Sequence, residues 1–390
     1  MTRPFRLGFF SRALPPLAAL AALAGLLAYP AACREAAGKA AETVLTLLLP
    51  SLYPYFVLSS LFLSMGWAKA LERPLAPVMR ALFGLPGVCA GPFLLGLTGG
   101  YPIGAKSAAA LYESGQCSKR QCIQLLTFCN NSGPAFLVGA VGAGIFGDTR
   151  AGLLLYFAHV LAAVAAGMLS RLFFKPEKSG KAEAPAFSPP RFSAAFSAAA
   201  VQALASVGTI AAFVLLFAVL TALLRACGAL TLLTDALSAL LAPFGASPAL
   251  SQALVGGFFE ITAGISALDA AAGSFCARMT AAALILGWGG VSVHAQVLAL
   301  ILPSKLPMKP CLAGKAIHAL FCAALTRALC ALFPLSPAAE TAALPAGAVF
   351  LPAGACIFGL CLLLLPICKF FRRSLGIRPQ IRYNGCRKEE

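Results

Sequence analysis

Eight stretches of roughly twenty apolar residues limit the fold of this chain more than any other feature: 13–32, 43–67, 121–147, 151–173, 197–224, 279–302, 315–335 and 345–368. About 20 such residues in an α-helix cross the hydrocarbon of a bilayer. Hydrophobic residues make up 60% of the chain and charged residues only 11%, against about 25% charged in a soluble domain. Such a chain cannot cover its surface with polar groups, so lipid must solvate much of it. The fold class expected is an all-α polytopic membrane protein with about eight transmembrane helices. The first stretch leaves two readings, a signal peptide or an uncleaved helix; the second is preferred, because Pro15-Pro16 and the "PAAC" ending make neither a clean signal-peptidase site nor a good lipobox.

The net charge of +17 invites a nucleic-acid reading, but its distribution argues against one. Of the 30 Lys and Arg, 24 fall in 1–12, 69–80, 106–120, 171–191, 303–315 and 369–390. Basic clusters beside apolar spans report orientation, so both termini are expected in the cytoplasm and no nucleic-acid partner is expected. The fourteen cysteines form no CxxC pair, which leaves packing rather than metal or redox chemistry as their role.

Two further stretches are apolar but broken. Residues 86–104 hold six Gly and three Pro, and 243–265 read "PFGASPALSQALVGGFFEITAGI". If 86–104 crossed the membrane, Lys106, Lys119 and Arg120 would lie outside; if it dips in and returns, every basic cluster lies inside. Two re-entrant helical hairpins are therefore expected. The halves also align weakly, "PYFVLSSLFL" (54–63) with "AAFVLLFAVL" (211–220), and at an offset of 160 Gly96 with Gly256, Gly104 with Gly264 and Ser132 with Ser292. The order of elements repeats with opposite orientation, an inverted repeat of the kind found in secondary transporters. The division expected is 1–40, an N-terminal helix and loop; 41–174, a first repeat; 175–196, a cytoplasmic linker; 197–335, a second repeat; and 336–390, a last helix and basic tail.

Within this frame "GLTGGYPIGAKS" (96–107) cannot be a P-loop. Ala105 displaces Lys106 from the GxxxxGK[ST] pattern, and no strand precedes it. Irregular backbone at membrane depth is tolerated where it lines a cavity, so Gly99, Gly100, Tyr101 and Lys106 are candidate substrate ligands. "FCNNSGPAF" (128–136) sets Asn130, Asn131 and Ser132 before a proline that breaks the helix. In the second half, "GWGGVSVHAQ" supplies Ser292 and Gln296. His294 beside them serves either as a proton acceptor or as a partner of a backbone carbonyl. Glu260 and Thr262 occupy the second hairpin, and an intramembrane carboxylate calls for a cation, a proton or a basic partner such as Lys106. His159, His318 and Arg327 read as helix-interface or snorkelling residues.

These stretches, above all "GYPIGAKSAAALYESGQCSKRQCIQLLTFCNNSGPAFLVGAVGAGIFG" (100–147) and "GGFFEITAGISAL" (256–268), resemble the YlbJ-type sporulation integral membrane proteins, within the nucleoside-recognition or Gate domain group. Gate domains are similar to the core of concentrative nucleoside transporters. The resemblance implies a non-enzymatic transporter that carries dipicolinate across the outer forespore membrane by alternating access. The alternatives it leaves are a nucleoside carrier and a sporulation membrane assembly protein. It implies an anionic small-molecule substrate and no cofactor or metal. The coupling ion (H+ or Na+) and assembly into a homo-oligomer stay open. Half-helix N-termini suit the carboxylates of such a dianion, Tyr101 is placed to stack on its ring, and Asn130, Asn131 and Ser132 to hydrogen-bond to it.

Overall fold

The structure, a computed structural model, describes residues 6–174, 190–269 and 271–333, all helical or connecting. The apolar stretch 345–368, the basic tail and most of the 175–196 linker lie outside the described residues. The first half runs α1 (Arg6–Ala28), α2 (Pro30–Thr43), α3 (Leu49–Ser64), α4 (Trp67–Val78), α5 (Ala90–Gly99), α6 (Ile103–Glu113), α7 (Lys119–Leu126) and α8 (Thr149–Phe173). The second runs α9 (Phe192–Ala226), α10 (Ala229–Leu241), α11 (Pro248–Phe259), α12 (Ile261–Ala267), α13 (Phe275–Trp288), α14 (Gly290–Ile301) and α15 (Met308–Leu332). Three π-helical segments, Val44–Leu48, Met79–Phe83 and Ala135–Ile145, interrupt or extend the first half.

The repeat is visible in the element order. A long helix (α3 or α9), a shorter one (α4 or α10), a hairpin (α5–α6 or α11–α12), a broken helix and a closing helix (α8 or α15) follow in turn. The two long helices, the ones whose sequences align, pack on each other across the molecule. Phe56, Val57 and Leu61 of α3 share a core with Val207, Ile210 and Val214 of α9. A second, larger core joins hairpin 1, α7, α8, hairpin 2 and α13–α15. Both hairpin arms are pinned by small residues. Gly96 and Gly104 approach across hairpin 1, and Gly264 meets both Gly256 and Gly257 across hairpin 2.

Helix starts follow local chemistry. Ser118 and Gln121 form a reciprocal capping box at α7, which satisfies two of the amide groups that a helix N-terminus leaves unpaired. The side chains of Asp148, Ser247 and Ser274 accept from Arg150, Leu250 and Ala277 backbone N–H groups at α8, α11 and α13. Lipid-facing surface is plain on α9, where Val201, Leu204 and Leu216 are 70%, 58% and 51% exposed. Among the described residues four helices are long and apolar enough to cross a membrane: Thr149–Phe173, Phe192–Ala226, Phe275–Ile301 and Met308–Leu332. Two bent pairs, Pro16–Ala28 with Pro30–Leu48 and Glu72–Phe83 with Gly87–Gly99, bring the number to as many as 6. The chain is an integral membrane protein.

Several expected boundaries move. The stretches 13–32 and 43–67 are not two spans with a loop between them. The chain bends by 98° at Tyr29, and helix then runs on through the polar segment 33–42, where Lys39 and Glu35 pair at 2.7 Å one turn apart. Hairpin 1 is longer than 86–104: those residues supply the descending arm and tip, and α6 returns as far as Glu113. Hairpin 2 lies at 248–267 rather than 243–265, because Ser247 and Pro248 start α11. The span expected at 315–335 begins at Met308, so Lys315 sits inside a helix instead of flanking it.

Candidate functional site

Each hairpin tip rests on the broken helix of its own half. A Cβ added to Gly96 or Gly104 would lie 1.6 or 2.0 Å from the Cys129 carbonyl oxygen, so the two arms of hairpin 1 close around that carbonyl where α7 has ended. Gly100, with φ +79°, turns the tip, and a Cβ there would stand 2.9 Å from the Gly133 nitrogen. Both the backbone sign and the space demand glycine. Between Leu126 and Ala135 the chain leaves the helix, and the Asn131 side-chain Nδ2 donates to the Phe128 carbonyl at 2.8 Å. That amide replaces a backbone donor the break has removed.

In the second half, Gly289 and Gly290 both have positive φ and separate α13 from α14. Glu260 is the single residue between α11 and α12. Its buried carboxylate accepts the backbone N–H of Thr262 at 3.0 Å, that of Ala263 at 2.7 Å, and the Thr262 hydroxyl. Of the three partners the sequence allows Glu260, the basic one is not Lys106. Lys106 lies on α6 in a separate cavity of about 410 Å3 with Glu72 and Gln202, and Glu260 is held by its own helix start.

The tips and breaks line a cavity of about 60 Å3, with α3 and α9 alongside. Hairpin 1 contributes Gly99, Gly100 and Tyr101, and the first break contributes Ser132 and Gly133. Hairpin 2 contributes Glu260 and Thr262, and α14 contributes Ser292 and Gln296. Residues from four separate segments, all singled out from sequence, are thus brought together. Asn130 and Asn131 do not line the cavity but are fully buried in the break beside Ser132. Asn130 Oδ1, Asn131 Oδ1 and Gln296 Oε1 are buried with no hydrogen-bond partner among the described residues, as are both ring nitrogens of His294. Orphaned buried acceptors of this kind are costly, and of these atoms only Gln296 Oε1 belongs to a residue that lines the cavity. Two wider cavities flank the central one. The 410 Å3 cavity borders the arms of hairpin 1, and one of about 630 Å3 borders hairpin 2, sharing Glu260 and Thr262 with the central space.

Tyr101 is not free to stack on a ligand by swinging its ring. Its hydroxyl donates to the Leu286 carbonyl of α13 at 2.7 Å and accepts from Lys315 Nζ at 3.1 Å. Lys315 Nζ also donates to the Asn130 carbonyl at 3.1 Å and lies 2.9 Å from His318 Nδ1. Three N–H donors meet three lone-pair acceptors, the full complement of an ammonium group. With Nδ1 accepting, His318 carries its proton on Nε2, which donates to the His159 carbonyl at 3.0 Å. Ser132 N–H in turn donates to His159 Nε2 at 3.0 Å, which leaves the His159 proton on Nδ1, 3.5 Å from Cys322 Sγ. His159, His318 and Cys322 offer ligand atoms within 4.8 Å of one another. With these tautomers, however, both ring nitrogens that face the sulfur carry hydrogens, so the trio is a hydrogen-bond chain rather than an open metal site.

Lys315 was grouped from sequence with the basic residues that flank spans, and His159 and His318 with helix interfaces. The structure joins all three behind the hairpin 1 tip. A sequence signal for this exists: Cys311, Lys315, His318 and Cys322 recur at the four- and three-residue spacing of one helix stripe, and a lysine on that stripe faces the interior. Arg327 places its guanidinium 2.9 Å from Cys276 Sγ on an exposed face.

A family model described as Gate, nucleoside recognition, matches residues 45–149, from the π segment before α3 to the first residue of α8. That span contains hairpin 1, the Asn130–Pro134 break and the whole of the first tip-on-break contact. The match covers the first hairpin and break and stops at the start of α8. Beyond it, the chain is similar to the sporulation integral membrane protein YlbJ of Bacillus subtilis (strain 168), 29% identical over 77% of this chain and 78% of that protein. The fold of the chain is similar to that of CNTnw in an outward-facing state (TM-score 0.53, 16% identity, 84% of this chain and 86% of that one). It is similar also to an intermediate state of CNTnw (TM-score 0.52, 16% identity, 85% and 87%).

Proposed function

We propose that this protein is a secondary transporter of a small anion, and that in a spore-forming cell its cargo is dipicolinate, moved across the outer forespore membrane with both termini in the cytoplasm. The observation that carries this reading is the central cavity between two hairpin tips, with a wider cavity beside each hairpin. Displacing either tip from the break beneath it opens the centre to one wide cavity at a time, which is what alternating access requires. The similarity to YlbJ supports a role in sporulation, and the similarity to CNTnw supports the transporter fold. Glu260 on the cavity wall spends both oxygens on capping α12, a positioning role that suits transport rather than catalysis.

Uptake into vesicles reconstituted with the full chain tests this directly. Labelled dipicolinate should enter in competition with unlabelled dipicolinate, and excess uridine should not compete. A second reading, nucleoside transport, is favoured by Glu260 at the cavity and by the CNTnw-like fold. Strong competition by uridine would support it. If the vesicles accumulate and bind neither compound, the protein acts as a non-transporting component of the sporulation membrane.

A further inference from the structure

Lys315, two turns into α15, is 1% exposed and has no carboxylate partner among the described residues. The ion pairs among the described residues, Lys39–Glu35 and Arg150–Asp148, lie elsewhere. The groups that face it are Tyr101 from hairpin 1, Cys129 from the break, His159 from α8, His294 from α14, and Cys311, His318 and Cys322 from its own helix. None is an acid. Three acceptors solvate the ammonium, and they supply dipoles but no charge. In the interior of a membrane protein such a cation is expensive and needs an anion to offset it.

The candidate anion site is close. Lys315 Nζ stands 3.1 Å from the Tyr101 hydroxyl and 5.1 Å from the centre of the Tyr101 ring, and Tyr101 is part of the cavity wall. Lys315 also holds the Asn130 carbonyl, in the segment that brings Ser132 to the cavity. Across the space, Glu260 is the carboxylate on the wall, and its two oxygens are already taken by Thr262 and Ala263. The positive field therefore enters from the hairpin 1 side, and at this depth screening by water is weak.

We propose that Lys315 is the specificity-determining charge of the central cavity: acting through Tyr101 and the helix break, it selects an anionic substrate over a neutral one of the same shape. The inference rests on the transport reading above and names the residue that decides the charge of the cargo.

Equilibrium binding to the full-length protein in detergent tests it, with dipicolinate and its neutral analogue pyridine-2,6-dicarboxamide as probes. Wild type should prefer the dianion. Lys315→Met should weaken dipicolinate binding by more than about tenfold, as expected for loss of a nearby charge in a medium of low dielectric, while changing diamide binding by less than about twofold. Lys315→Arg should keep the preference for the dianion. Lys315→Gln, which keeps polar contacts with the Tyr101 and Asn130 oxygens, should behave as Met does and covers the case in which the Met variant does not fold. Equal loss of both probes in the Gln variant would mark Lys315 as a structural residue and overturn the inference. So would a dianion preference that survives Lys315→Gln in a protein whose wild type shows it. A wild type that binds neither probe would sink the substrate reading itself, and this inference with it.

Discussion

Lys315 Nζ and the Tyr101 hydroxyl, 214 residues apart in sequence, meet at 3.1 Å and tie the closing helix of the second half to the hairpin tip of the first. The same hydroxyl reaches Leu286 on α13. Tip 1 is thus held by the opposite half of the molecule as well as by its own helix break. Removing the hydroxyl leaves an ammonium N–H and a carbonyl without partners in a buried place. Tyr101→Phe should cost about 1–3 kcal/mol, seen as a lower melting temperature of the purified protein in detergent. Melting unchanged from wild type would mean that the contact contributes nothing to holding the tip.

The glycines of hairpin 1 allow a sharper test. Gly96→Ala or Gly104→Ala drives a methyl group into the Cys129 carbonyl, with no flexible side chain to give way. Either variant should be destabilised by several kcal/mol in the manner of an overpacked core, or fail to accumulate in the membrane. Gly139→Ala, where a Cβ meets nothing within 4 Å, should stay within about 0.5 kcal/mol of wild type. Comparable expression and melting of all three would show that the arms do not pack as described.

At hairpin 2, Glu260 caps α12 through two backbone amides and the Thr262 hydroxyl. Glu260→Ala removes all three bonds. Amide hydrogen exchange over 261–267 should quicken by about tenfold, the loss of roughly 1–2 kcal/mol that an N-cap contributes. Dipicolinate uptake should fall at the same time. Exchange that stays slow in the variant would mean that packing against α11, not the cap, sets the tip.

Topology is testable without substrate. Both ends of hairpin 1 lie on one side if the segment is re-entrant, and Asp148, beyond the Ala135–Ile145 segment, lies on the other. In a background lacking the exposed Cys227, a cysteine at Ser114 should resist an impermeant thiol reagent in intact cells, while one at Asp148 should react. Labelling of both positions would place the two on the same side and dismantle the proposed orientation.

The apolar runs, the Gly- and Pro-broken stretches and the repeated order of elements determined, without coordinates, that this is a helical membrane protein with two hairpins and two broken helices. Lipid leaves a backbone few choices, so length and breakers suffice. The polar residues at the breakers, among them Ser132, Glu260 and Gln296, were legible for the same reason, because a polar group at membrane depth needs a purpose. Only the tertiary structure decided what those groups do with one another. Glu260 caps α12 because it is the single residue between α11 and α12, where the amides of Thr262 and Ala263 point at its carboxylate. Lys106 went to a different cavity because it lies on the returning arm, away from the tip. Lys315, which in sequence belongs to a basic flank, became the charge behind Tyr101 because α15 begins a full turn or more before the apolar run does. Which face of that helix looks inward depends on packing against α8 and α13, and packing is a property of partners distant in the chain.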